Sequence, residues 1–145
     1  MTPEEAAKAI ERKAQAIRSE LAWAQRKNAF ALLQVARQYS EGPYSLAELR
    51  RMGHPYATRH PAAPLDPAII NRQTGRFAAS WRLEEVTAGD GSMLRLTNDA
   101  PYAGFLKTGT RFMIARPIEE KIAVETEPLI TRNIEIALER ALGRN

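Results

Sequence analysis

Residues 3 to about 39 place apolar or small side chains at Ile10, Ala14, Ile17, Leu21, Ala24, Ala31, Leu32, Val35 and Tyr39. A recurrence every three or four positions predicts one long helix. Thr2 caps it, Pro3 suits its first turn, and Glu4 and Glu5 stand against the positive end of the helix dipole. Such a helix is about 55 Å long at a rise of 1.5 Å per residue. A compact globule of this chain length is only about 35–40 Å across. The helix therefore either kinks near Gln25 to Asn28, where Asn28 is the one polar break in the seam, or projects and packs on another subunit. Trp23, Phe30 and Leu33 lie off the main seam and offer a second apolar face for that packing.

Gly42-Pro43 breaks the helix, and Ser45 with Glu48 forms a capping box for a short helix over Leu46 to Met52 that Gly53 ends. Residues 53–67 carry four prolines, each of which removes a backbone donor and disfavours helix in its predecessor. This is an extended loop, and Tyr56, Arg59, His54 and His60 equip it to dock a partner. Residues 68–72 suit a short strand, Gln73-Thr74-Gly75 a turn, and Arg76 to Ala79 a helical turn. Trp81 and Leu83 alternate with Arg82 and Glu84, as Leu94 and Leu96 do with Met93, Arg95 and Thr97. Ala88-Gly89-Asp90-Gly91 joins these two strands as a hairpin.

The stretch from Asn98 to Ile118 opens as a short helix, with Asn98 or Asp99 as cap, Pro101 in its first turn, and Tyr102, Phe105 and Leu106 on one face. Gly109 stops that helix, Thr110 to Ile114 reads as a short strand, and Pro117 ends it. Residues 118–125 suit helix or strand. Thr126 then caps a last helix, with Pro128 in its first turn and an apolar stripe through Ile130, Ile134, Ala137, Leu138, Ala141 and Leu142. The whole is an α+β chain: one domain over 1–145, with a long N-terminal helix over 1–40 and a core over 68–145. In that core a small, mainly antiparallel sheet is packed by a C-terminal helix.

With 145 residues the chain is long enough to bury a real core, and its hydrophobic share of 44% is that of a globular protein. No apolar run is long enough to cross a bilayer and the first twenty residues lack a signal-peptide core, so neither a membrane partner nor standard export is expected. There is no cysteine, hence no disulfide framework and no thiolate metal site. Seven basic against four acidic side chains fall in residues 1–40, and four against six in 119–145, so the chain is basic in front and acidic behind. In a ring-forming protein that polarity helps opposite ends of neighbouring subunits meet.

Catalytic chemistry finds little to work with. The two histidines, His54 and His60, sit in the proline-rich loop with nothing to orient a ring against a serine, and six residues apart they miss helical metal-ligand spacing. Asp99 or Asp90 followed by Glu119-Glu120-Lys121 has the residue types of a Mg²⁺-dependent nuclease, though a solvated charge run explains the triplet more simply. Arg50-Arg51 with Arg59, Arg72 and Arg76 is a thin version of a nucleic-acid stripe. The expectation is therefore no catalytic, metal or cofactor site. A basic DNA-binding protein, or less readily a metal-dependent nuclease, is the alternative to the reading that follows.

Thr74-Gly75 with Phe77 and Ser80, then Tyr102-Ala103, Gly109-Thr110 and Ala115-Arg116-Pro117 before a last helix, together resemble a pattern found in phage proteins. It is that of the head–tail joining and tail-completion (neck) proteins of long-tailed double-stranded-DNA bacteriophages. The likeness covers about the second half of the chain and rests on order and spacing. Lys107 departs from it, since an acidic residue is more usual before the Gly-Thr. The resemblance implies a structural virion protein, assembled in the host cytoplasm and carried in the neck or tail. It implies a homo-oligomeric ring, of six or another number of copies, that contacts connector or adaptor and tail-tube proteins. Genomic DNA would pass through its axis without sequence-specific contact. The interface residues expected on this view are Trp23, Phe30, Tyr56, Arg59, Lys107, Arg111 and Arg116. Arg116 is foremost among them, because a guanidinium makes bidentate bonds to a neighbour's carboxylate or carbonyls.

Overall fold

The computed structural model describes residues 1–52, 69–70, 74–89, 91–111 and 114–143; the 53–67 loop, with Tyr56 and Arg59, lies outside them. The elements in order are α1 (Pro3–Glu41), α2 (Leu46–Arg51), α3 (Arg76–Ala79), β1 (Trp81–Ala88), β2 (Gly91–Asn98), α4 (Ala103–Thr108) and α5 (Ile118–Leu142). This is the α+β arrangement expected. The chain divides into two compact units, one of residues 1–31 with 126–145 and the other of residues 32–125.

The first unit pairs most of α1 with the end of α5. Thr2 Oγ1 accepts from Glu5 N at 3.1 Å while Glu5 Oε2 accepts from Thr2 N at 2.7 Å, a reciprocal cap that satisfies amides no helical carbonyl can reach. From Pro3 to Glu41 α1 is a single unbroken helix. Ala24, Ala137 and Ala141 are buried where the two helices meet, and their small side chains allow close approach. Asn28 is buried as well, and its Oδ1 accepts from Asn133 Nδ2 at 2.9 Å. With Glu20 and Trp23 beside Arg140, these contacts make the pair antiparallel. They also set Leu142 opposite the turn around Ser19, so the first turns of α1 run past the end of α5. No residue before Ala24 is buried.

The second unit holds the core: Val35 and Ala36 of α1, Ile70, Phe77 of α3, Trp81 of β1, Ala100, and Ile118 and Ile122 of α5. β1 and β2 form a two-stranded antiparallel sheet with Trp81 opposite Asn98, Leu83 opposite Leu96 and Ala88 opposite Gly91. Its inner face carries Trp81, Leu83, Leu94 and Leu96, and α5 packs there through Ile118 and Ile122. Trp81 Nε1 donates to Ser40 Oγ at 2.7 Å, and Ser40 Oγ donates to the Ala36 carbonyl at 2.6 Å, so the buried indole N–H has its acceptor. Ser45 and Glu48 cap α2 as expected.

Three expectations change. Thr126 does not cap a new helix: α5 begins at Ile118 and runs unbroken through Pro128, with Thr126 buried inside it. Burying Ile118, Ile122 and Thr126 along one side holds the helix together, and the carbonyl that Pro128 cannot satisfy lies at exposed Val124. Thr110, Arg111 and Ile114 are not in a strand; beyond them Arg116 N donates to the Leu106 carbonyl at 2.9 Å. Neither Asn98 nor Asp99 caps α4. Asn98 Oδ1 accepts from Ala100 N, closing a turn before the helix, and Asp99 Oδ2 takes Arg82 Nε at 3.0 Å. The strand expected over 68–72 falls mostly outside the described residues, and Ile69 and Ile70 are not in one.

Candidate interaction surfaces

Residues from the two stretches that carry the sequence pattern meet in the second unit. Gly75 adopts φ 80°, the left-handed region that glycine enters without steric cost, and so turns the chain into α3. That turn delivers Phe77 to the core, where its ring lies 5.7 Å from Trp81 edge-on and 6.2 Å from Tyr102. Asn98 Nδ2 donates to the Phe77 carbonyl at 2.9 Å and ties β2 back to α3. Ala103 and Leu106 pack on the same core. Gly109 then ends α4 at φ 75° and ψ 179°, a conformation open to glycine almost alone, with its N–H on the Phe105 carbonyl at 2.8 Å.

Arg116 follows, and only 7% of it is exposed. Its Nη1 donates to the Ile69 carbonyl at 3.2 Å, while its Nε is buried with no partner. Burial pushes its guanidinium below the usual arginine range, because the charge has lost its water. Among the described residues no carboxylate lies within ion-pair distance of it. Arg116 therefore serves its own fold in this chain rather than standing free at a surface.

The other expected contact residues divide differently. Lys107 Nζ lies 2.6 Å from Glu119 Oε2, and that hydrogen bond and charge hold the ammonium above the usual lysine range. Arg111 is exposed yet already partnered. Phe30 is 69% exposed. Trp23 is half-buried, with the Arg140 guanidinium carbon 4.5 Å from its ring centroid, a cation–π contact. Phe105 faces outward at 62% exposure, because it sits about 100° around α4 from Leu106, which takes the inner position. The sequence pattern grouped the two on one face and so missed Phe105 as a surface aromatic.

Among the described residues no three His, Cys, Asp or Glu side chains lie close enough to hold a metal ion. The Asp99 carboxylate is on Arg82 and that of Glu119 on Lys107, so neither is turned toward the other. Among the described residues no helix is long and apolar enough to cross a membrane. Comparison with known proteins returns no matching family model, no matching curated protein and no matching solved structure.

Proposed function

We propose that the chain is a structural protein of the phage neck or tail end, assembling as a ring that completes the tail and joins it to the head connector. Genomic DNA passes along the axis of that ring. The observation that carries this reading is the meeting of Phe77 and Trp81 with Tyr102, Ala103 and Leu106. Residues far apart in the sequence pattern interlock through Phe77, Trp81, Tyr102 and Leu106, as a set held in common order for one packed unit would. Exposed aromatic and aliphatic side chains at Phe30, Phe105, Leu129 and Leu138 supply the apolar area that joining subunits requires.

The test is molar mass by light scattering over a range of concentrations, for the purified chain alone and with connector and tail-tube proteins. A discrete ring mass, alone or only with those partners, is the expected result. A chain that stays monomeric and ignores them overturns the reading. Mg²⁺-dependent cleavage of DNA, or binding that weakens steeply with salt, would then be measured in its place.

A further inference from the structure

Charge is unevenly spread along α1. Between Arg12 and Ala31 the helix carries Arg12, Lys13, Arg18, Arg26 and Lys27 against a single acid, Glu20. All five cations are exposed, and among the described residues none of them is in an ion pair. Glu20 is already engaged, 3.9 Å from Arg140 of α5. The arginines of α5 are of another kind: Arg140 is held by Glu20 and the Trp23 ring, and Arg132 by Glu135 at 3.4 Å.

Position gathers three of these cations. At about 100° per residue, the half of α1 turned away from buried Ala24 and Asn28, and so from α5, holds Arg12, Arg18 and Arg26. From Arg12 to Arg26 that half also carries Gln15, Ser19 and Ala22, with no carboxylate and no exposed large apolar side chain. The three arginines span about 21 Å of helix, the run of about six phosphates on one strand of duplex DNA. A protein joint needs a desolvated apolar centre, which this stretch lacks. A phosphate backbone needs charged donors set along a rod, and each guanidinium can give phosphate two parallel bonds.

We infer that the outer side of α1, through Arg12, Arg18 and Arg26, binds the phosphate backbone of duplex DNA without reading its sequence. The inference rests on the neck reading above for the source of that DNA, the genome threading the ring, and it assigns the side of each subunit that touches it.

The test is fluorescence anisotropy of a labelled duplex of roughly 30 base pairs and arbitrary sequence, titrated with the full chain from about 50 to 200 mM sodium chloride. Three phosphate contacts per chain predict an affinity that falls about 40-fold over that range, a logarithmic slope of about −2.7. Arg12→Gln, Arg18→Gln and Arg26→Gln together, all at exposed positions, leave the circular dichroism unchanged, weaken binding by about tenfold or more at the lowest salt and flatten the slope. Arg26→Gln alone lowers the slope by about 0.9, whereas Arg132→Gln, the same change of net charge at an arginine already held by Glu135, leaves it in place. Absence of binding at the lowest salt, or equal losses in Arg26→Gln and Arg132→Gln, overturns the inference, while ring mass by light scattering reports on the neck reading separately. A triple variant that keeps its hold on DNA but no longer joins connector or tail-tube proteins also overturns it, and makes this side the seat of an acidic protein. A chain that binds DNA as expected yet never associates keeps the surface and loses the neck reading.

Discussion

Ser40→Ala isolates one hydrogen bond in the core. Ser40 is 2% exposed, and its hydroxyl both accepts from Trp81 Nε1 at 2.7 Å and donates to the Ala36 carbonyl at 2.6 Å. Removing the oxygen strands the indole N–H in a site where Trp81 itself is 8% exposed, a loss of about 1–3 kcal/mol. The Ala36 carbonyl keeps its helical amide, and alanine's higher helix propensity returns about 0.5 kcal/mol. The net expectation is destabilisation by about 1–2 kcal/mol, a fall in melting temperature of about 3–8 °C for a chain of this size. In a Trp81→Phe background no N–H is left to strand, so Ser40→Ala becomes neutral or slightly stabilising there. The coupling from the four-variant cycle is then about 1.5 kcal/mol, measured by urea unfolding followed by far-ultraviolet circular dichroism. Equal losses in both backgrounds, or a Ser40→Ala loss below about 0.5 kcal/mol, would refute the bond's role.

Gly109→Ala forces a side chain into φ 75° and ψ 179° and is expected to cost about 1–3 kcal/mol in thermal unfolding; a change under about 0.5 would mean that the turn relaxes freely. Arg116→Met gives up the bond to Ile69 but also removes a buried charge whose Nε is unpartnered, so stability in the isolated chain stays within about 1 kcal/mol of wild type. A loss beyond about 2 kcal/mol would reveal a counter-charge holding the guanidinium. Glu48 is held below the usual glutamate range by the Ser45 side chain and then by its backbone N–H. Because the folded-state value is the depressed one, the cap's contribution is present above the ordinary glutamate range and is lost as pH falls through the lowered folded value. Nuclear magnetic resonance titration should show the Glu48 midpoint rising part of the way toward the ordinary glutamate range in Ser45→Ala, which loses the hydroxyl but keeps the backbone N–H, and an unchanged midpoint would detach the shift from the side-chain cap.

Local rules carried the chain a long way and stopped where distant residues meet. Thr2 with Glu5 and Ser45 with Glu48 are capping pairs readable from spacing alone, and both form. Alternation located both strands, and the glycines around Asp90 located their hairpin. Pro128 misled because a proline suits the first turn of a helix, whereas here α5 starts ten residues earlier and buries Ile118, Ile122 and Thr126 across the break. Thr110 to Ile114 has strand-forming residues, but propensity does not decide pairing, and Thr110, Arg111 and Ile114 lie outside the two-stranded sheet. The Tyr39 hydroxyl on Glu125 Oε1, 86 positions away, has no local signature, nor has the carbonyl of Ile69 under Arg116. The seam of α1 was legible as a stripe. What packs on that stripe was not, because Ala137, Ala141 and Asn133 meet it only once α5 is laid beside it.

The amide pair of Asn28 and Asn133 acts on the choice of fold more than on its strength. Ala137 and Ala141 lie one turn apart on α5, so a slide of one turn, about 5.4 Å, would still set a small side chain against Ala24. The amides remove that tolerance, because any other offset sets each of them against hydrocarbon without a partner. They specify the offset of the two helices and leave the strength of their association to the apolar seam. Losing either amide would therefore loosen the register of α1 on α5 before it loosened their association.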